Sequence, residues 1–147
     1  MASHLLEFAG IAPVVVPALA VEQHLAEKLH AYSRTYAGDQ PSSRVKDLVD
    51  IVVISSTTSI DAARLTEAVR SIFERRATHA IPQSLAPPPP EWARPWETLV
   101  AHLPADRELL AGFDAAAALW DPVLAGAADA MAWNPVGATW QRPADGG

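Results

Sequence analysis

Two apolar stripes at helical spacing lie back to back between Ala18 and Ile54, and they constrain this chain more than anything else in it. In the first, Val21, Leu25, Leu29, Tyr32 and Tyr36 recur at mostly fourfold spacing, which lines one face of a helix. In the second, Val45, Leu48, Val49, Val52 and Val53 follow the i, i+3, i+4, i+7, i+8 pattern. Their β-branched content competes for strand. The charges at 44, 46, 47 and 50 fit the helical period better than strict alternation. Gly38, Asp39, Gln40 and Pro41 break the pattern between them and form a loop, with Ser42 and Ser43 as candidate N-caps for the second helix. Two such helices so close in sequence must bury their stripes against each other or against a shared neighbour.

The charges beside these stripes are the candidates for chemistry. Glu27 and Lys28 flank the first, and Arg44, Lys46, Asp47 and Asp50 flank the second. Asp47 and Asp50 are three apart and share a face in the first two turns, where the helix dipole favours acids. Lys28 on its own reads as a solvated side chain. Asp47 and Asp50 read equally as early-helix acids paired with Arg44 or Lys46. Between these readings stands an ion pair from Lys28 to Asp50 that ties the two helices together.

Around this centre the sequence predicts a mainly helical chain. Leu5–Ile11 and the β-branched Val14–Val16 read as one or two short N-terminal strands that need a sheet to be stable. Ser59 is the expected N-cap of a third helix, with Leu65, Val69, Ile72 and Phe73 inward and Arg70, Arg75 and Arg76 as its basic end. Most of the 13 prolines follow Ile81, so residues 81–91, with four consecutive prolines, read as an extended linker. A fourth helix is expected from about Pro95 to His102. A fifth runs from about Ala105 to Trp120, with Leu109, Leu110, Phe113 and Ala117 inward, broken at Pro122 and resuming from Val123 to Met131. Residues 1–80 thus form one unit, 92–132 a C-terminal helical region, and 133–147 a tail along the surface or without order.

Composition removes several function classes. A net charge of -6 argues against bulk electrostatic binding of nucleic acid, which needs clustered Lys and Arg. The absence of cysteine excludes disulfides, zinc fingers and a thiol nucleophile, and it fits a cytoplasmic protein. The longest apolar runs fall far short of the ~20 residues that cross a bilayer, so no membrane partner is expected. Glu27 and His30 form an E-x-x-H, which binds metal only when a second such helix faces it, and there is one copy. There is no G-x-S-x-G elbow and no glycine-rich phosphate loop. The tryptophans at 92, 96, 120, 133 and 140 sit beside prolines and amphipathic helices, which favours packing over base stacking.

The run Ala26-Glu27-Lys28-Leu29-His30-Ala31, followed by Arg44-Val45-Lys46-Asp47-Leu48-Val49-Asp50, resembles the AbiEii/AbiGii family of nucleotidyltransferase toxins from bacterial phage-defence and toxin–antitoxin systems. The stretch from Phe113 to Leu124 also looks like that family's C-terminal helix. The resemblance implies transfer of a nucleotide to RNA, with tRNA as the expected acceptor, using Mg²⁺ and a nucleoside triphosphate, with an antitoxin as partner. It assigns Lys28, Asp47 and Asp50 as candidate catalytic residues, and Lys28, Arg44 and Lys46 as nucleotide-phosphate contacts. The family's nucleotidyltransferase half opens on a Gly-Ser turn and an acidic strand. This sequence contains no Gly-Ser pair and no Asp-x-Asp. The expected fold is therefore the helical C-terminal half of an α+β nucleotidyltransferase-like protein, inactive by itself and binding no cofactor alone. The alternative is a non-catalytic helical module that binds an antitoxin or a separately encoded catalytic half.

Overall fold

The computed structural model describes residues 20–34 and 41–142. The expected strands at Leu5–Ile11 and Val14–Val16, Tyr36, and the turn at Gly38 lie outside those residues. The described part is mainly α: five helices and one small antiparallel sheet. In chain order these are α1 (Val21–Ser33), α2 (Pro41–Thr57), β1 (Ile60–Asp61), α3 (Ala62–Arg76), α4 (Ala93–Val100), α5 (Leu109–Leu124), β2 (Ala132–Asn134) and β3 (Thr139–Gln141).

Helix α2 is the hub. It packs against α1, α4 and α5, while α1 also packs on α3. Val45, Leu48, Val49, Ile51 and Val52 are all buried, so a β-branched sequence is held helical by neighbours on several sides. The helix is longer at both ends than the sequence suggests. It starts at Pro41, because proline is tolerated in a first turn, and Ser42 and Ser43 lie inside it rather than capping it. At the other end it runs on to Thr57, where the hydroxyls of Ser55, Ser56 and Thr57 donate back to the carbonyls of Val52, Val53 and Val53 respectively, so these polar side chains are satisfied within the helix.

The cap of α3 is Asp61, not Ser59. Its carboxylate accepts from the Arg64 N–H at 2.9 Å. Ile60 and Asp61 are drawn instead into the sheet, in the order β1-β2-β3, with Ile60 opposite Trp133 and Trp133 opposite Trp140. This corrects the reading of residues from Trp133 onward as a surface or unordered tail: the segment to Gln141 is a hairpin. Trp133 is 2% exposed, and its indole N–H donates to the Ser55 carbonyl at 2.7 Å. Trp140 meets it edge-on and donates to the Leu119 carbonyl.

The proline-rich stretch is a strap rather than a free spacer. Leu85 is buried and its N–H donates to the Asp121 carboxylate at 2.8 Å. Tyr32 donates its hydroxyl proton to the Ala86 carbonyl at 2.6 Å. The strap thereby joins α1 to α5 and ends in a 3-10 turn, Pro90–Trp92, which leads into α4 two residues earlier than the sequence suggests.

Helix α5 begins at Leu109 and runs through Pro122 to Leu124. The carbonyl that Pro122 leaves without an amide partner is that of Ala118, an exposed residue. The chain does not resume a helix afterwards; Gly126, with φ of 76°, turns it away. Leu110, expected inward, is 62% exposed, while Gly112, Ala116, Leu119, Trp120 and Val123 face the core. Gly112 is there because the Trp96 indole lies directly against its Cα.

Candidate functional site

Lys28 sits next to the buried stripe of α1, on the side facing α2. Asp47 and Asp50 occupy the matching side of α2, one turn apart. The Lys28 ammonium is 2.7 Å from Asp50 Oδ2 and 3.7 Å from Asp47 Oδ1. Arg44 Nη1 is 3.8 Å from Asp47 Oδ2, and the same nitrogen donates to the Ala31 carbonyl near the end of α1. Two cations and two carboxylates thus alternate across the seam between the helices. The pairing of Lys28 with Asp50 and that of Arg44 with Asp47 are both legible in the sequence. Lys46 is not part of the group: it is exposed and forms no ion pair among the described residues.

Burial within the cluster is uneven, and this sets its electrostatics. The Asp47 side chain is 13% exposed and that of Asp50 42%. Burial raises the Asp47 pKa above the ordinary carboxylate value, against the pull of Lys28 and Arg44, and the nearby Asp50 charge adds to the rise. Burial opposes the Lys28 charge too. The Asp50 hydrogen bond and the charges of Asp50 and Asp47 outweigh it and hold the ammonium above the usual lysine value.

The signs follow. Lys28 contributes stability below its unfolded pKa and loses it as pH rises through its higher folded value. Asp47 does the reverse of a stabilising carboxylate: its ionised form is disfavoured by folding, so it adds stability only as pH falls through its folded value toward its unfolded one. Asp47→Asn should therefore leave stability at neutral pH unchanged within about 1 kcal/mol, or raise it, while flattening the acid side of the profile. Urea unfolding at neutral and mildly acidic pH checks this. A loss of several kcal/mol at neutral pH would make Asp47 a structural anchor instead.

The remaining charges of α1 point elsewhere. Glu27 accepts from Arg76 of α3 at 2.7 Å on a more exposed surface. His30 is buried at 3% exposure and bonds to Thr78. The E-x-x-H pair is therefore split between two different partners, and no group of three or more metal-binding side chains converges among the described residues. His30, Ser33, Thr78 and His79 form a polar cluster that sequence reasoning does not reach, because it joins residues 46 to 48 positions apart.

No helix is long and apolar enough to cross a membrane among the described residues. No curated protein and no solved structure matches the chain. The family model for the nucleotidyl transferase AbiEii toxin of type IV toxin–antitoxin systems matches residues 1–119, a span that holds Lys28, Arg44, Asp47 and Asp50. With most of its length matched, and with the quoted motif falling on one helix–helix seam, this chain belongs to the AbiEii nucleotidyl transferase toxin family.

Proposed function

We propose that the seam between α1 and α2 is the phosphate-holding side of a nucleotidyl transfer site. The observation that carries this reading is the placement of Lys28, a partly exposed ammonium held between Asp47 and Asp50 with Arg44 beside them. Nucleotidyl transfer needs an acceptor hydroxyl to attack the α-phosphorus of a nucleoside triphosphate while the bond to the β-phosphate breaks and pyrophosphate leaves. Fixed cations stabilise the negative charge that moves onto the leaving group. Lys28 is our candidate for that contact. Asp47 and Asp50 hold its position and supply the acidic character of the site. Arg44 fixes the first turn of α2 against α1, and Lys46, exposed on the same helix outside the ion-pair group, is the second cation we propose for phosphate.

Nucleotidyl transferases use a divalent metal such as Mg²⁺. Asp47 and Asp50 both face Lys28, and no third ligand joins them among the described residues, so they do not make a Mg²⁺ cage and we assign metal binding to no residue of this chain. The Gly-Ser turn and acidic strand have no counterpart in the sequence. On this reading the chain is the helical part of an RNA-modifying toxin, acting on tRNA in the cytoplasm in phage defence, with an antitoxin as its partner. Without the acidic strand it does not transfer nucleotides.

Incubation of the purified chain with each labelled nucleoside triphosphate, Mg²⁺ and bulk RNA tests this directly. We expect no labelled RNA, but saturable binding of the triphosphate that Lys28→Met weakens. Robust Mg²⁺-dependent labelling would overturn the inactivity. Absence of triphosphate binding would overturn the site.

A further inference from the structure

Behind the Lys28 seam, the end of α1 is joined to the residues just after α3 by a chain of side-chain hydrogen bonds whose direction can be worked out. Ser33 Oγ donates its one proton to the Leu29 carbonyl at 2.8 Å. It must therefore accept from His79 Nε2, which lies 2.9 Å away. His79 carries its proton on Nε2, so its Nδ1 is bare and accepts from the Thr78 hydroxyl at 3.0 Å. Thr78 has then spent its proton and accepts from His30 Nε2 at 2.8 Å. With Ser33 donating to Leu29, the relay runs His30 to Thr78 to His79 to Ser33 to Leu29; the His30 carbonyl, 3.3 Å from Ser33 Oγ, is a second acceptor for the same proton. Phe73 stands edge-on to both imidazoles, which are 4.6 Å apart.

We infer that this relay is a proton-operated latch: with both imidazoles neutral it fastens Thr78 and His79 to the last turn of α1, and protonation releases them. Protonation of both rings would place two positive charges on imidazoles whose centroids are 4.6 Å apart, with His30 nearly fully buried. The surroundings oppose the charge from every packed element. Arg34 at the C-cap of α1 and Arg44 of α2 face His79; His79, Arg76 of α3 and Arg34 face His30, while Glu27 alone acts the other way on His30. Burial first, and then these cations, keep both imidazoles below the ordinary histidine pKa; for His79 the His30 backbone carbonyl partly offsets this. A histidine with a lowered folded pKa gives stability that is complete above its unfolded value of about 6.5 and is lost as pH falls below it. The latch also reaches the Lys28 seam, because the Arg44 that faces His79 grips the Ala31 carbonyl and Asp47.

Long-range ¹H–¹⁵N NMR of the full chain reads the relay, and hydrogen exchange reads the latch. Above neutral pH both His30 and His79 should show the Nε2–H tautomer. Between about pH 7 and 5.5, where histidines titrate, protection of the Ala77 amide, which donates to the Phe73 carbonyl at the end of α3, corrected for intrinsic rate, should fall roughly tenfold or more. His79→Gln keeps an N–H for Ser33 and cannot gain a charge, so its protection should stay level over the same range. An Nδ1–H tautomer at either ring, or equal loss in the wild type and His79→Gln, overturns the latch. If His79→Gln does not fold, His30→Gln replaces it, and a pH trend as steep as that of the wild type is then the overturning result.

Discussion

Gly112→Ala should unfold or nearly unfold this protein, although alanine is the better helix former. A Cβ at residue 112 would overlap Cζ2 and Cη2 of the Trp96 indole, with Cε2, the farthest of the three, at 3.0 Å. Neither side can yield. Trp96 is fully buried, and its N–H is fixed on the Asp106 carbonyl at 2.9 Å, which ties α4 to the loop before α5. Overpacking costs about 1–3 kcal/mol where a core can relax, and more where it cannot. Here we expect at least ~3 kcal/mol, offset by only about 1 kcal/mol of helix propensity gained over glycine. Denaturant unfolding followed by tryptophan fluorescence measures it. A stability within about 1 kcal/mol of the wild type would mean that the Trp96 ring can move aside, and that the contact between α4 and α5 is soft.

Lys28→Met should have the largest effect at the seam. It keeps most of the side-chain volume and removes the charge that lies between two acids. Asp47, nearly buried, is then left beside Asp50 with Arg44 as its remaining cation. Loss of one partner of a half-buried pair costs about 1–3 kcal/mol, much of it from the acid left behind. Adding Asp50→Asn removes the like-charge repulsion, so the double variant should recover part of the loss. A double-mutant cycle on stability isolates the 2.7 Å contact. In the same variants triphosphate binding should weaken by roughly tenfold or more from Lys28→Met, since a charge-assisted contact to phosphate is lost. If the cycle shows strong coupling while triphosphate binding is unchanged, the seam is structural and the phosphate reading fails.

These two predictions rest on parts of the molecule that differ in how far the sequence reveals them. The Lys28–Asp50 contact is readable because two helical periods set the facing sides of α1 and α2, and the charges sit beside the stripes. The Gly112–Trp96 contact is not, since nothing in local spacing says which helix lies over which glycine. The same division holds elsewhere. The inward face of α3 follows from Leu65, Val69, Ile72 and Phe73, all of them buried. Its cap does not, because Ser59 and Asp61 both suit the role locally, and pairing with the distant hairpin decides between them. Strands of two and three residues carry no alternation long enough to detect. Pro122 misleads for the opposite reason: a strong local signal is overridden by burial of Leu119, Trp120 and Val123 around it.

The pairing of Ile60 with Trp133 has a consequence for the order of synthesis. Chains grow from the N-terminus at about 5–20 residues per second, so Trp133 is made roughly 4 to 15 seconds after Ile60. Through that interval the Ser55 carbonyl has no indole to accept from, and β1 has no neighbouring strand. Helices α1, α2 and α3 can meet on the ribosome, but the end of α2 closes only when the hairpin arrives. A nascent chain stalled before Ala132 would present an open apolar end around Ile60, which is the form that holding chaperones recognise and that a stop codon between the end of α5 at Leu124 and β2 at Ala132 would make permanent.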